Sequence, residues 1–296
     1  MENKGIEVTL NATPIAHKNF TWDLSFNIYR NMSKILSLGP GIPSQTVSKV
    51  ATNVEPFKLI VGSPLGDIWA LRTLGIYQNI DQVKADGYWA GNDAQEQFMV
   101  GEFRYFKPDG GTTPPANGTD AVVVGNTNPK FMFGFNNSFS IGRFDVSFFF
   151  QGSYGNDIVN MSKWDMLKNI GGSSSNITWE AYNNLWRGEG TSNKYPKAVD
   201  SKKRLIEYFS DTYVEDGSYI KLKSLNIGYN FDLGRWSKFI KNLKISFVGT
   251  NLFCITNYSG YDPEVNAFNT DPRKRGVDMG NYPGSATFSV NLQATF

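Results

Sequence analysis

Residues 285–296, SATFSVNLQATF, alternate apolar and polar side chains up to a final aromatic residue. Successive side chains of a β-strand point to opposite faces. One face of this stretch therefore carries Phe288, Val290, Leu292, Ala294 and Phe296, and the other carries Ser289, Asn291, Gln293 and Thr295. The alternation predicts a strand that separates an apolar environment from an aqueous one.

The composition fits a β-rich protein and excludes several functional classes. Aromatic residues make up 15% of the 296 residues and glycine contributes 29, as in chains with many strands and turns. The net charge of +2 gives no electrostatic reason to expect a nucleic-acid partner. The single cysteine, Cys254, excludes an internal disulfide and a cysteine-based metal cluster.

The same alternation recurs in pairs of stretches joined by short polar links. Residues 6–12 and 20–28 predict a hairpin in which Pro14 ends the first strand. A second hairpin is predicted around Gly142-Arg143, and a third joins 219–231 to 243–253. The apolar phase slips between Leu222 and Leu225, which predicts a β-bulge or the level at which the strand would leave a bilayer. With residues 285–296 the count is about seven strands.

The connections alternate in length. The links at 14–18, 141–143 and 232–242 are short, whereas 31–130, 153–218 and 254–284 are long. Outer-membrane β-barrels have short periplasmic turns and long extracellular loops, and bacterial single-chain barrels have an even number of strands. We therefore predict an all-β, antiparallel transmembrane barrel. Because seven is odd and residues 1–10 contain no export signal, we expect residues 1–296 to be the C-terminal portion of a longer barrel.

The long connections carry the candidate ligand-binding residues. Segment 31–130 contains short β-like pieces at 67–77 and 97–107, and apolar spacing in 157–210 predicts two short helices separated by 171–175. Three tryptophans near these helices could offer flat faces to sugars, although packing inside the loop is the favoured interpretation. The candidate ligand-binding residues are Trp164, Trp179, Trp186 and Tyr261.

The sequence offers no catalytic, metal or cofactor site. His17 is the only histidine and falls in a predicted turn. Asp262-Pro263-Glu264 is interpreted as a turn in preference to a cation site. The basic runs 202–204 and 273–275 are interpreted as solvated loop charge, with contact to phosphates of outer-membrane lipid as the alternative.

Six motifs resemble those of the SusC/RagA-type TonB-dependent outer-membrane transporters. They are NKGIE (3–7), VGSPLG (61–66), FQGSYGND (150–157), VEDGSY (214–219), NLF (251–253) and YSGYDPE (258–264). The resemblance covers nearly the whole chain in the family order. It implies structural roles for Asp216, Gly217, Ser218, Tyr219, Asn251, Asp262, Pro263 and Phe296.

The resemblance also implies a function and a set of partners. The chain would supply part of a 22-stranded barrel that imports oligosaccharides or peptides with a SusD-like lipoprotein. A TonB–ExbB–ExbD complex would act through N-terminal domains and a plug that have no counterpart here, and the barrel assembly machinery would read the last strand. The family's Asp-rich cation loop is not matched by residues 101–110. Two alternatives stay open: a complete small outer-membrane barrel acting as adhesin, porin or enzyme, and a soluble β-sandwich that binds glycans.

Overall fold

The computed structural model describes residues 1–168, 170, 176–199, 208–234 and 239–296. Its strands are β1 (Glu2–His17), β2 (Phe20–Lys34), β3 (Ser44–Thr46), β4 (Lys58–Ile60), β5 (Asp67–Ala70), β6 (Thr73–Ile76), β7 (Phe103–Tyr105), β8 (Val122–Asn126), β9 (Phe131–Ile141), β10 (Phe144–Tyr154), β11 (Asp157–Asn160), β12 (Val214–Asp216), β13 (Tyr219–Asn230), β14 (Asn242–Thr256), β15 (Val277–Asp278) and β16 (Thr287–Thr295). Its α-helices are α1 (Ile80–Asp86), α2 (Asp93–Met99), α3 (Met161–Leu167) and α4 (Trp179–Asn183).

Seven long strands form one antiparallel sheet in the order β1-β2-β9-β10-β13-β14-β16. The strands of this sheet lie side by side in the order in which they occur along the chain. The short strands between them in sequence lie in the connections. Among the described residues, the next largest sheet has three strands, β12-β11-β15. A β-sandwich needs two large sheets face to face, so the architecture does not fit the sandwich alternative, whereas the predicted count of seven strands is confirmed.

Cross-strand pairing gives the sheet one continuous apolar face. A row of paired residues crosses all seven strands on that face: Ile15, Trp22, Phe139, Val146, Ile227, Phe247 and Val290. A parallel row on the opposite face is polar except for one phenylalanine: Asn11, Ser25, Asn136, Phe149, Ser224, Thr250 and Thr287. The pleat therefore keeps the two environments apart over the full width of the sheet.

A polar side chain, Asn137, lies in the middle of the apolar face. Asn137 pairs with Leu24 and Phe148 in the register of that face and is 2% exposed. Its Oδ1 atom accepts a hydrogen bond of 3.0 Å from the indole N–H of Trp22. A polar group in apolar surroundings is costly unless it is hydrogen-bonded, so the tryptophan satisfies the amide oxygen from the neighbouring strand.

The first hairpin is longer than predicted. Pro14 does not end β1: the register shifts between Ala12 and Ile15, which removes Pro14 from the pairing and lets the strand continue. A bulge tolerates proline because it needs no ladder hydrogen bond there. His17, expected inside the turn, pairs with Phe20 as the last residue of β1, and the turn is Lys18-Asn19.

The predicted bulge in β13 is confirmed. Its register with β14 shifts between Leu222 and Ser224, and its register with β10 shifts between Phe149 and Phe150. Asn251 and Leu252 together oppose Lys223, which makes a second bulge in β14. Asn251 has a φ of 51°. Few residues other than glycine adopt this left-handed conformation, and asparagine is among the most tolerant of them. The backbone geometry therefore favours asparagine or glycine at this position of the NLF motif.

The connection from 35 to 130 is more ordered than expected. It contains three two-stranded pairings, β3-β4, β5-β8 and β6-β7, and the two helices α1 and α2. The predicted piece 67–77 is two strands with different partners, and the predicted β-piece 97–107 begins inside α2. Asparagine side chains cap both helices: Asn79 accepts from the Gln82 amide and Asn92 from the Gln95 amide.

The connection from 155 to 218 contains both predicted helices, α3 and α4. Strand β11 precedes the helices and follows the turn after β10. Residues 171–175, which are predicted to separate the two helices, lie outside the described part of the chain. No helix among the described residues is long and apolar enough to cross a membrane. The main apolar core lies in these connections, where Phe57, Ile68, Val159, Trp164 and Val277 pack together.

Candidate functional site

Three of the motifs meet where strand β10 ends and strand β13 begins, beside the long connections, and a fourth motif is joined to them. We call this region the motif junction; it comprises residues 155–160, 214–221, 256–264 and 276–278. The connections return to the sheet here, so contacts between motifs decide how the loops sit over the sheet.

A buried lysine holds the last long connection against the polar face of the sheet. Lys221 of β13 is 5% exposed, and its ammonium lies 2.9 Å from Asp262 Oδ1 and 2.5 Å from Glu264 Oε2. Lys223 reaches the same Glu264 oxygen at 2.6 Å, and the Tyr219 hydroxyl donates to Glu264 Oε1. A buried charge must be paired, so these contacts tie the YSGYDPE motif to β13.

The carboxylates of this cluster stay ionised. Burial alone would raise the pKa of Asp262, but the Glu264 amide and the Lys221 ammonium donate to it and lower the pKa below its ordinary value. Burial likewise opposes ionisation of Glu264, and the hydrogen bonds from Lys221 and Lys223 outweigh it and lower the pKa. The Glu264 amide bonds to Asp262 Oδ1 at 2.9 Å, which makes Asp262-Pro263-Glu264 a side-chain-stabilised turn, as predicted.

The beginning of the same motif binds two other loops. The Ser259 amide and hydroxyl both donate to Glu215 of the VEDGSY motif, each at 2.9 Å. The Tyr258 hydroxyl donates to Asp278 at 2.5 Å, and burial followed by this hydrogen bond raises the pKa of Tyr258. Residues 258–264 therefore contact β12, β13 and β15 together.

The VEDGSY turn is compact because its side chains bond to its own backbone. Asp216 Oδ1 accepts from the amide of Ser218 at 2.9 Å and from its hydroxyl. Gly217 packs so closely that an added Cβ would lie 2.5 Å from Asn156 Nδ2 and 2.8 Å from Ile158 Cδ1. The Ser218 hydroxyl accepts from the Gly155 amide at 2.9 Å. These contacts join VEDGSY to FQGSYGND.

The VGSPLG motif is joined to the junction through Asp157. Oδ2 of Asp157 accepts a hydrogen bond from the Asn126 amide at 2.8 Å. The side chain of Asn126 in turn donates to Asp67, the residue after the motif, at 2.7 Å. Thr127 donates its amide to the Gly66 carbonyl. The two remaining motifs lie in strands: NKGIE is in β1, and NLF forms the β14 bulge.

A cavity of about 260 Å³ lies in the connections, where three apolar clusters meet. We call it the aromatic cavity. Its wall includes Trp89, Phe98, Phe103, Tyr105, Trp164 and Tyr208. Edge-to-face packing fixes several of these rings: the centroids of Tyr105 and Tyr208 are 5.1 Å apart, and those of Trp164 and Tyr213 are 4.9 Å apart. Burial, with the nearby Asp120 charge, raises the pKa of Tyr208 to about 12.

The structure separates the four candidate ligand-binding residues. Trp164 is 3% exposed and lies in the loop core, where it also lines the aromatic cavity. Trp186 is half-buried, and its indole N–H donates to Gln78. Trp179 is 80% exposed beside Tyr182, and Tyr261 is 81% exposed. The three tryptophans differ in burial and do not share one surface platform.

The basic run 273–275 is not uniformly solvated. Lys274 is 7% exposed, donates to the Lys49 carbonyl at 3.0 Å and lies 4.8 Å from the Phe268 ring centroid. Arg273 is exposed and pairs with Asp271. The interpretation as solvated loop charge is therefore wrong for Lys274, whose stem packs in the loop. The other run, 202–204, lies outside the described residues.

Sequence reasoning missed the residues that join the motifs. The sequence alone predicts no role for Lys221, Glu215 or Asp278. Lys221 nevertheless carries a signal, because a lysine on the polar side of an apolar strand indicates a charged partner. The cavity residues Trp89, Phe103 and Tyr105 come from a segment with weak periodicity. Only packing between distant segments reveals them.

Comparison with known proteins covers the whole chain. The chain is 30% identical to TonB-dependent receptor P3 of Formosa agariphila over 305 residues. It is 25% identical to TonB-dependent receptor SusC of Bacteroides thetaiotaomicron over 307 residues. All of the chain is aligned in both, but it spans only 29% and 26% of those proteins. No protein-family model matches the chain.

Solved structures share the fold. The RagAB peptide importer in its open-open state matches 99% of the chain with a TM-score of 0.76 at 18% identity, and the chain covers 28% of that protein. A second structure, described as the RagAB peptide transporter, matches with a TM-score of 0.75 at 17% identity. The seven-stranded sheet is thus a segment of a larger barrel wall.

Proposed function

The chain belongs to the SusC/RagA family of TonB-dependent receptors, which are outer-membrane β-barrel proteins, and from this premise we propose that it forms the C-terminal part of a nutrient-importing barrel. Its cargo would be an oligosaccharide or a peptide. The proposal gives the chain a transport role and no catalytic one.

The observation that carries the proposal is the two-faced sheet with ordered loops on one end. The row of paired residues from Ile15 in β1 to Val290 in β16 forms an apolar surface suited to contact with lipid. The polar row on the opposite face is suited to a water-filled lumen. Among the described residues, β1 pairs only with β2 and β16 only with β14. Unpaired strand edges are not tolerated in lipid, which supports neighbouring strands supplied by the rest of a longer receptor. We propose that the rest of the receptor also contains the plug and the N-terminal domains.

We further propose three partners for the whole receptor. A SusD-like surface lipoprotein would contact the loop side, a TonB–ExbB–ExbD complex would act from the periplasm, and the barrel assembly machinery would read the strand that ends at Phe296. The RagAB structures, which are named as a peptide importer, support the first of these by analogy.

The test is uptake by cells that express the complete receptor. Cells would be offered labelled oligosaccharides and labelled peptides, and uptake would be compared between the intact strain, a receptor deletion and a TonB deletion. We expect uptake of one cargo class to disappear in both deletions. Uptake that needs the receptor but persists without TonB would contradict energised import and would favour a passive porin.

A further inference from the structure

We propose that the aromatic cavity binds an apolar side chain of a peptide, and thereby makes peptides, in preference to glycans, the cargo of this receptor. This inference rests on the proposed import function. The cavity lies between helix α2, strand β7 and helix α3, and the segments around Trp89, Pro196 and Tyr208 complete its wall.

The size of the cavity favours an occupant. Protein interiors are close-packed, with few voids larger than a water molecule, and an apolar cavity of about 150 Å³ is large enough to bind benzene. The aromatic cavity measures about 260 Å³. Its rings cannot simply close the space, because Trp164 is held in one buried cluster and Phe103 and Tyr105 are held in another.

The chemistry of the wall favours an apolar group over a sugar. The polar groups of the wall are the side chains of Gln95, Glu102 and Lys168, the hydroxyls of Tyr105, Tyr208 and Tyr213, and the indole N–H groups of Trp89 and Trp164. Half of these residues, Glu102, Lys168, Tyr105 and Tyr213, already interact with other groups of the protein. A sugar ring that entered would bring several hydroxyls that compete with those interactions, and burying an unpaired hydroxyl is costly. A phenyl or branched aliphatic group needs none, and ring edges pack well against it. Sugars stack on exposed ring faces, whereas Trp164 is 3% exposed.

Helix α2 allows a matched pair of variants. Gln95 lines the cavity, whereas Gln97, two residues along the same helix, is exposed and is not part of the wall. The change Gln95→Phe puts a ring at the cavity, and Gln97→Phe adds the same ring to the solvent side. Phe98→Ala, in contrast, removes a wall ring. Cell-surface levels and heat-modifiable migration on gels establish that each receptor variant is folded.

The experiment measures peptide binding to the complete receptor, purified with its lipoprotein partner, by calorimetry. The probes are the peptides GSGFGS and GSGAGS and the glycan maltohexaose. We expect GSGFGS to bind at least tenfold more tightly than GSGAGS, Gln95→Phe and Phe98→Ala to remove this preference, and Gln97→Phe to retain it. Equal binding of the two peptides, or a preference that survives Gln95→Phe, would overturn the inference.

A parallel uptake assay separates this inference from the function it rests on. If maltohexaose is taken up in a TonB-dependent manner and GSGFGS is not, the cargo assignment is wrong and the import function stands. If neither probe class is taken up and no binding occurs, both fail. TonB-dependent uptake of GSGFGS that Gln95→Phe reduces tenfold supports both.

Discussion

At the scale of single residues, the motifs contain side chains that a particular backbone or a particular charge requires. Asn251 has a left-handed backbone, Gly217 leaves no room for a Cβ, and Lys221 is a buried ammonium that pairs with the carboxylates of Asp262 and Glu264. Each role is a property of one position. Substitutions there test the structure directly.

Asn251→Ala should destabilise the folded barrel, whereas Asn251→Gly should not. A left-handed conformation costs a residue with a Cβ about 1–2 kcal/mol, and asparagine offsets part of that cost, so we expect a loss of about 1 kcal/mol for alanine. Glycine adopts the observed φ of 51° without strain. Urea unfolding of the complete receptor in lipid vesicles measures both. An alanine variant as stable as glycine would show that the bulge relaxes.

Lys221→Met should release residues 258–264 from the sheet at neutral pH. The methionine keeps much of the volume and removes the charge, which leaves the Asp262 and Glu264 carboxylates without their shared partner. Hydrogen exchange followed by mass spectrometry should show lower protection of 258–264. Lys241→Met, at a lysine in the link between β13 and β14, is the control. Unchanged protection would mean that Ser259 and Tyr258 suffice.

The same segment should loosen in acid. The folded pKa values of Asp262 and Glu264 lie below the ordinary 3.8 and 4.5, so their stabilisation is present above those ordinary values and is lost as pH falls through the lowered ones. Protection factors of 258–264, which correct for intrinsic exchange rates, should therefore be constant from pH 7 to about 5 and fall below about pH 4. In Lys221→Met this acid-dependent fall should be smaller.

At the scale of elements, strand β16 is the simplest test of the membrane face. Leu292 pairs with Ile245 on the apolar face and is 69% exposed, whereas its neighbour Gln293 lies on the polar face. An alternating strand therefore offers adjacent positions with opposite surroundings. The two faces should respond differently to the same new charge.

Leu292→Lys should cost about 2–4 kcal/mol of folding free energy in a bilayer if it lies near the midplane, because the ammonium would face lipid. Gln293→Lys should cost much less, because its side chain faces the polar side. Unfolding titrations in lipid vesicles measure the difference. Equal effects of the two lysines would show that this strand does not contact lipid.

At the scale of the whole molecule, the lengths of the connections predict which side faces the medium. Tyr282 lies in the last long connection and is 92% exposed, whereas Lys18 lies in the first short turn. In a Cys254→Ser background, an impermeant maleimide should label Tyr282→Cys on intact cells. Lys18→Cys should be labelled only after the outer membrane is opened. The reverse pattern would invert the orientation.

The sequence by itself determined the seven strands, their two faces, the bulge after Leu222 and the family, because alternation and motifs are local properties of the chain. Two predictions from the sequence are wrong, because Pro14 does not end β1 and Lys274 is not solvated. A bulge and a buried lysine stem both depend on neighbouring segments. Only the tertiary structure decided that Lys221 binds Asp262 and Glu264, that Glu215 binds Ser259, and that Trp89, Tyr105 and Trp164 share one cavity. The ion pairs and hydrogen bonds join residues 41 to 44 positions apart, and the cavity joins separate segments of the chain. The energies of these contacts depend on burial and distance, which no local pattern encodes.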